Sequence, residues 1–357
     1  MKKILIEGMS SNLGGMETFI HLLFEVLHED WQIDFLVYDE TIPFQKEFLE
    51  AGCHIYWVTP RSKGVKKSYR EIDLLFEKGH YDAFWFNKTT LSNIYSLKSA
   101  KKHNVKKIIC HSHQSKNMGS SFTAIMHSLN RRKVGNYANV KAACSEVAAE
   151  YFFGNEKKDV KYFANAVDIS KYEPKTDVRN RMRKTFSVDH KFVVGHVARF
   201  AHEKNHTFLV DIFEEISKRI DAHLLLCGTG PLLDEIKEKV QEKGLSERVS
   251  FLGMRNDIPE ILQAMDVFVM PSLFEGLPFS LVEAQAAGLP CIVADTVSEE
   301  SKLTDILEFM SLDSEVSLWA DAILKYKDYE KISKRNQLEA KGFSLEAFKR
   351  QIDEIIK

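Results

Sequence analysis

Two glutamates, Glu275 and Glu283, stand with seven residues between them inside the stretch 271–290. The apolar run 267–270 before them reads as a buried strand. Pro271 ends it, and Glu275-Gly276-Leu277-Pro278 turns the chain. Ser280 then opens a short helix that Gly288 and Pro290 stop, with Glu283 three positions after Ser280. A strand feeding a glycine-bearing loop and a helix start suits an anion, because the first helical amides are unpaired and lie at the positive end of the dipole. Both carboxylates can line one pocket. Ser280 with Glu283 also fits a capping box, which is a structural device. Glu275, in an otherwise apolar loop, is not explained that way.

Other residues could join such chemistry. Arg199 and Lys204 are five apart across a loop, so both can turn towards one anion. The planar fork of Arg and the point charge of Lys suit a diphosphate leaving group, although unliganded surface charges would look the same. Gly14-Gly15 before a helix allows close backbone approach to a diphosphate, with a flexible connection as the plainer reading. The Gly-x-Gly-x-x-Gly dinucleotide spacing is absent there. His111 and His113 follow the fifth strand. They read either as a metal site or as ordinary hydrogen-bonded histidines, since no other His, Cys or carboxylate lies at ligand spacing nearby. Gly228-Thr-Gly230-Pro231 and Phe251-Leu-Gly253-Met254-Arg255 are, alone, weak turn signals.

The elements that would position these residues alternate along the whole chain. Strand candidates are 4–7, 33–38, 54–58, 83–86, 107–110 and 140–143, then 192–197, 223–227, 249–252, 267–270, 291–293 and 309–312. Amphipathic helical patterns intervene, such as 16–28, 44–51, 69–78, 91–103 and 145–153. This alternation is the mark of parallel α/β sheets. At 357 residues the chain suits two domains. The boundary is expected near 165–173, where Asn165-Ala-Val-Asp168 acts as a hinge, giving domains 1–168 and 169–340 and a last helical segment 341–357. Each chemical motif falls at a strand end, where open α/β sheets bind ligands, and two such domains would face a central cleft.

Composition removes several classes. Apolar content of 44% and charged content of 28% are those of a soluble protein, and no run approaches a membrane span. The basic start 1–7 has no long apolar core and reads as a first strand, not a signal peptide. Five scattered cysteines lack metal spacing, and their odd number argues against a disulfide framework, so a reducing cytoplasm is expected. The net charge of −2 hides an asymmetry. Positions 61–141 hold 17 Lys and Arg against four acidic residues, whereas the first sixty hold three against ten. A basic first domain suits an anionic membrane surface or a phosphate-bearing acceptor. It does not suit nucleic acid, because aromatics are not interleaved with the charges and no nucleic-acid motif occurs.

The two spaced glutamates, the Glu-Gly-Leu-Pro turn and the Glu-Ala-x-Ala-x-Gly-x-Pro helix resemble the signature of retaining glycosyltransferases of family 4, with the GT-B fold. The likeness spans both halves and is strongest over 191–295. It implies two Rossmann-like domains facing a cleft, with the last helix returning to the first domain. It further implies a hexosyltransferase that moves a sugar from a nucleotide-diphosphate donor, UDP by default, without metal or other cofactor. By the same resemblance Glu283 holds the ribose and Glu275 the donor sugar. Backbone amides around Gly276 to Phe279 assist, Leu277, Pro278, Ser280 and Leu281 also line the donor, and Arg199 with Lys204 clamps the diphosphate. The Gly14-Gly15 loop would face the donor phosphates, a histidine (His113 favoured over His111) would meet the sugar, and Gly230, Met254 and Arg255 would surround the base. The absence of any Asp-x-Asp pair speaks against the metal-dependent single-domain transferases. Residues 142–154 look like the branch that builds capsular polysaccharide and exopolysaccharide, which implies a saccharide or lipid-linked saccharide acceptor and a peripheral place at the inner membrane face. Sugar-phosphate epimerases and phosphorylases share the fold, but phosphorylases need a longer chain. A catalytically silent nucleotide-sugar-binding partner of a larger assembly is the rival of a different class.

Overall fold

A computed structural model describes residues 1–114, 120–156, 159–163 and 166–356. The chain divides into two compact units, Met1–Ala166 with Leu345–Lys357, and Val167–Ser344. The strands are β1 (Lys2–Glu7), β2 (Trp31–Val37), β3 (His54–Trp57), β4 (Ala83–Lys88), β5 (Lys107–Ser112), β6 (Val140–Ala143), β7 (Lys161–Tyr162), β8 (Phe192–Val197), β9 (Ala222–Cys227), β10 (Val249–Phe251), β11 (Val267–Met270), β12 (Cys291–Ala294) and β13 (Leu307–Met310). They form a seven-stranded sheet in the order β3-β2-β1-β4-β5-β6-β7 and a six-stranded sheet in the order β10-β9-β8-β11-β12-β13. Every pairing is parallel, as the alternating sequence pattern requires. These are two parallel α/β domains, as the GT-B resemblance implies.

Helices cover both faces, so central strands are apolar throughout. All four residues of β11 and of β12 are buried. Each sheet reverses its winding once, between β1 and β4 in the first and between β8 and β11 in the second. Outside the carboxyl ends of the strands at such a reversal, neighbouring loops diverge and leave a crevice for ligand.

The last helix, Leu345–Ile356, belongs to the first unit. Phe348 packs on Phe19 and Phe163, with ring centroids 5.5 and 6.0 Å apart, and Lys349 Nζ donates to Val26 O at 2.9 Å. Several boundaries differ from expectation. The helix expected over 91–103 spans Tyr95–Lys102, because Asn93 Oδ1 accepts the Tyr95 amide and starts it late. The expected strand 309–312 is Leu307–Met310. In the expected hinge Asn165 lies outside the described residues, and Asp168 caps the short helix Ile169–Tyr172 by accepting the Ser170 amide at 3.1 Å. All five cysteines are unpaired. No helix among the described residues is long and apolar enough to cross a membrane.

Candidate functional site

In the second domain the residues singled out by chemistry gather around the reversal between β8 and β11. The chain leaves β8 through Ala198, whose amide donates to Cys227 O at 3.0 Å, and Phe200 N donates to Thr229 O at 2.9 Å. Phe200 is fully buried and stacks on His206 at 4.1 Å, which leaves Arg199 exposed between two pinned neighbours. Gly228 makes this close approach possible. Its φ is +138°, and a Cβ there would lie 2.0 Å from Ala198 O. Gly230 sits in the same turn, and its carbonyl accepts the Leu233 amide at 3.2 Å.

Lys204 ends the turn His202–Lys204 and forms an ion pair with Glu275. Both side chains are largely buried, at 17% and 16% exposure. Glu275 is held from several sides. Leu273 N donates to Glu203 O at 2.8 Å, Ser298 N donates to Glu275 O at 3.0 Å, and Thr296 Oγ1 donates to Ser272 O at 2.6 Å. The two charged loops therefore share one backbone framework across the reversal.

The helix after Glu275 starts at Phe279, not at Ser280, and the capping box does not form. Pro278 occupies the cap position with φ −72° and ψ 134°, which sets up the helix without a side-chain acceptor. The Leu281 and Val282 amides donate to Pro278 O at 3.1 and 3.3 Å. Those of Phe279 and Ser280 donate to no acceptor among the described residues, so the start of the helix retains two free donors. Gly276 is exposed, Leu277 and Pro278 are half-buried, and the Leu281 side chain lies in the core.

Freed from capping, Glu283 takes another partner. Tyr172 Oη donates to its Oε1 at 2.7 Å from 111 positions away, and Gln263 Nε2 donates to Tyr172 O at 2.8 Å. Burial pushes the Glu283 carboxyl above the usual carboxylate range, and the tyrosine opposes that shift. Nothing in the local sequence around Tyr172 signals this role. In the neighbouring loop Met254 is exposed, while Arg255 is forked onto Asp257 (Nε–Oδ1 2.7 Å). That ion pair leaves Met254 as the freer side chain of the two.

The first domain presents a second cluster at its own reversal. Asn87, fully buried at the end of β4, donates from Nδ2 to Glu7 O at 3.1 Å. Gly8, with φ +135°, permits the contact, since a Cβ there would sit 2.6 Å from Asn87 Cβ. With Nδ2 so occupied, Asn87 Oδ1 accepts from His113 Nε2 at 2.9 Å. His113 therefore carries its proton on Nε2 and keeps Nδ1 as an acceptor, and burial holds its pKa down to about 3. His111 is sealed among Phe19, Trp85 and Phe163 with no partner at either ring nitrogen among the described residues, and burial lowers its pKa far below the ordinary value. Among the described residues no three His, Cys, Asp or Glu side chains are grouped to hold a metal.

Gly14 and Gly15 are exposed at the start of the helix Gly15–Leu27. Here the expected anion position already holds a carboxylate. Glu17, in the first turn, is buried, accepts Ser10 Oγ at 2.6 Å, and turns back on the Gly14 backbone. Burial raises its pKa. The Glu17 carboxylate thus lies beside the glycines expected to face a phosphate.

Residues 177–342 match the family profile described as Glycosyl transferases group 1. A protein named "Putative glycosyltransferase EpsF" from Bacillus subtilis is 31% identical over 336 residues, 91% of this chain and 87% of the relative. An Escherichia coli protein named as a UDP-Gal:alpha-D-GlcNAc-diphosphoundecaprenol alpha-1,3-galactosyltransferase is 37% identical over 136 residues, covering 37% of this chain and 35% of its own. Among solved structures, Anabaena Alr3699/HepE in complex with UDP and glucose superposes with a TM-score of 0.82 over 99% of both chains. At 20% identity that likeness establishes the fold alone.

Proposed function

The chain belongs to the group 1 glycosyl transferases, and from that premise we propose that it moves a hexose-type sugar from a UDP-sugar to a hydroxyl acceptor, with retention at the anomeric carbon. The observation that carries the reading is the pairing of Lys204 with Glu275 across the β8/β11 reversal, beside a Glu283 held by Tyr172. In this reading the bond between the anomeric carbon and the diphosphate oxygen breaks as the acceptor oxygen bonds to the same face. The acceptor proton passes to the leaving phosphate. Negative charge grows on the diphosphate, and Arg199, Lys204 and the free amides of Phe279 and Ser280 stabilise it. That set takes the place of a metal ion. Glu275, released from Lys204 as the ammonium turns to phosphate, holds donor-sugar hydroxyls. Glu283 uses the oxygen not bonded to Tyr172 for the ribose, and His113 accepts a substrate hydroxyl through Nδ1.

UDP is favoured because the galactosyltransferase relative is named for UDP-Gal and the Anabaena structure contains UDP. The acceptor is a saccharide or lipid-linked saccharide of exopolysaccharide or capsule type, and its lipid-linked form is supported by the galactosyltransferase relative, which is named for a diphosphoundecaprenol-linked sugar. Calorimetric titration of UDP, GDP and ADP, without metal, into wild type and Glu283→Ala tests the donor site. Preference for UDP that is weakened in the variant supports it. Binding of none of the three would refute it.

A further inference from the structure

The helix Ser121–Arg131 is built the wrong way round for a surface helix of a soluble domain. Its inward side is polar. His127 Nδ1 accepts the Leu91 amide at 3.0 Å while Nε2 meets Tyr151 O at 3.0 Å, and Asn130 Nδ2 donates to Leu91 O at 2.7 Å. Both polar side chains are buried. The outward side carries Phe122, Ile125 and Leu129 at helical spacing, exposed by 70%, 59% and 52%. Hydrogen bonds thus pin the helix so that its apolar stripe must face out. Single exposed apolar residues need no explanation, but a stripe of three on one helix face does.

Charge identifies what would cover it. Arg131, Arg132 and Lys133 follow directly on the stripe, and Arg132 and Lys133 are exposed. From position 83 to 145 the chain has eleven Lys and Arg and not one Asp or Glu. An apolar ridge followed directly by exposed cations, in a stretch of chain without acidic residues, complements a bilayer with anionic headgroups, where rings and aliphatic chains enter the acyl boundary and cations meet phosphate. We propose that Phe122, Ile125 and Leu129 insert into an anionic membrane surface while Arg132 and Lys133 contact its headgroups. This deepens the lipid-linked acceptor reading without depending on which sugar is transferred. It would place the first domain against the surface that carries such an acceptor.

Co-sedimentation with phosphatidylcholine–phosphatidylglycerol vesicles, against pure phosphatidylcholine, tests the proposal for wild type, Phe122→Ser/Ile125→Ser/Leu129→Ser and Arg132→Glu/Lys133→Glu. Wild type should bind the anionic vesicles, and the triple variant should partition at least about tenfold more weakly, because three apolar side chains no longer leave water. The charge variant should lose the preference for anionic lipid. All three should keep the same UDP affinity, so a failure of vesicle binding is separate from a failure of the donor site. Equal binding of wild type and triple variant would overturn the proposal, as would no binding of wild type at low salt. A wild-type dimer in sedimentation analysis that the triple variant abolishes would overturn it too, by assigning the stripe to a second copy of the chain.

Discussion

Tyr172→Phe separates a positioning role for the Tyr172–Glu283 pair from simple packing. The substitution keeps the ring and removes only the hydroxyl that donates to Glu283 Oε1 at 2.7 Å. A hydrogen bond to a charged group contributes roughly 1.5–3 kcal/mol, and water will recover part of it at this half-buried carboxyl, so a loss of about 1.5 kcal/mol is expected. If Glu283 holds the ribose, that energy appears as about tenfold weaker UDP binding near neutral pH. The pH dependence carries a sign as well. Burial already raises the Glu283 pKa, and the tyrosine opposes it, so removing the hydroxyl raises it further. Binding that needs the carboxylate is therefore present at high pH and lost as pH falls through the raised pKa, and this loss sets in at higher pH in the variant. Titration calorimetry from about pH 8 down to about pH 5.5 reads both effects. Wild-type affinity with an unchanged pH profile would refute the assignment of Glu283 to the nucleotide.

Further expectations follow from the same geometry. Lys204→Ala should weaken UDP far more than uridine, since the lysine addresses phosphate, and an equal loss for both ligands would count against the clamp. Gly228→Ala should destabilise the protein by about 2 kcal/mol or more in urea unfolding, because its Cβ would meet Ala198 O at a left-handed φ, and a neutral result would contradict the pinned loop. Burial holds His206 and His223 in their neutral forms, each with a pKa of about 4. The unfolded chain protonates them near pH 6.5, so the stability they contribute is present above that pH and declines as pH falls towards 4. At pH 5 each should cost about 2 kcal/mol, and a thermal midpoint unchanged between about pH 7.5 and 5 would exclude this.

The fold was legible because parallel strands buried on both faces leave short apolar runs that helical patterns separate. β8, β11 and β12 illustrate it. β7 was not legible, since Lys161 and Tyr162 are two exposed residues with no apolar signal. The loop bearing Glu275 and the turn bearing Lys204 could be picked out as chemically unusual, but their ion pair depends on β8 and β11 lying side by side. The same limit hid Tyr172 behind Glu283 and Asn87 behind His113, contacts made across 111 and 26 positions. Ser280 misled because its spacing to Glu283 mimics a cap, whereas Pro278 alone sets up the helix. At Gly14-Gly15 the nearby Glu17 was visible, but only its burial shows that it turns back on the helix start.

Whether the second domain's charged cluster performs transfer or only holds a nucleotide sugar is decided most directly by turnover in water. Wild type incubated with UDP-glucose or UDP-galactose, without acceptor, should slowly release UDP, and the freed sugar should first appear in the anomeric configuration of the donor. Glu275→Gln should bind UDP yet release far less. Tight UDP binding with no release from any UDP-sugar would contradict an enzyme and make the chain a silent nucleotide-sugar-binding partner.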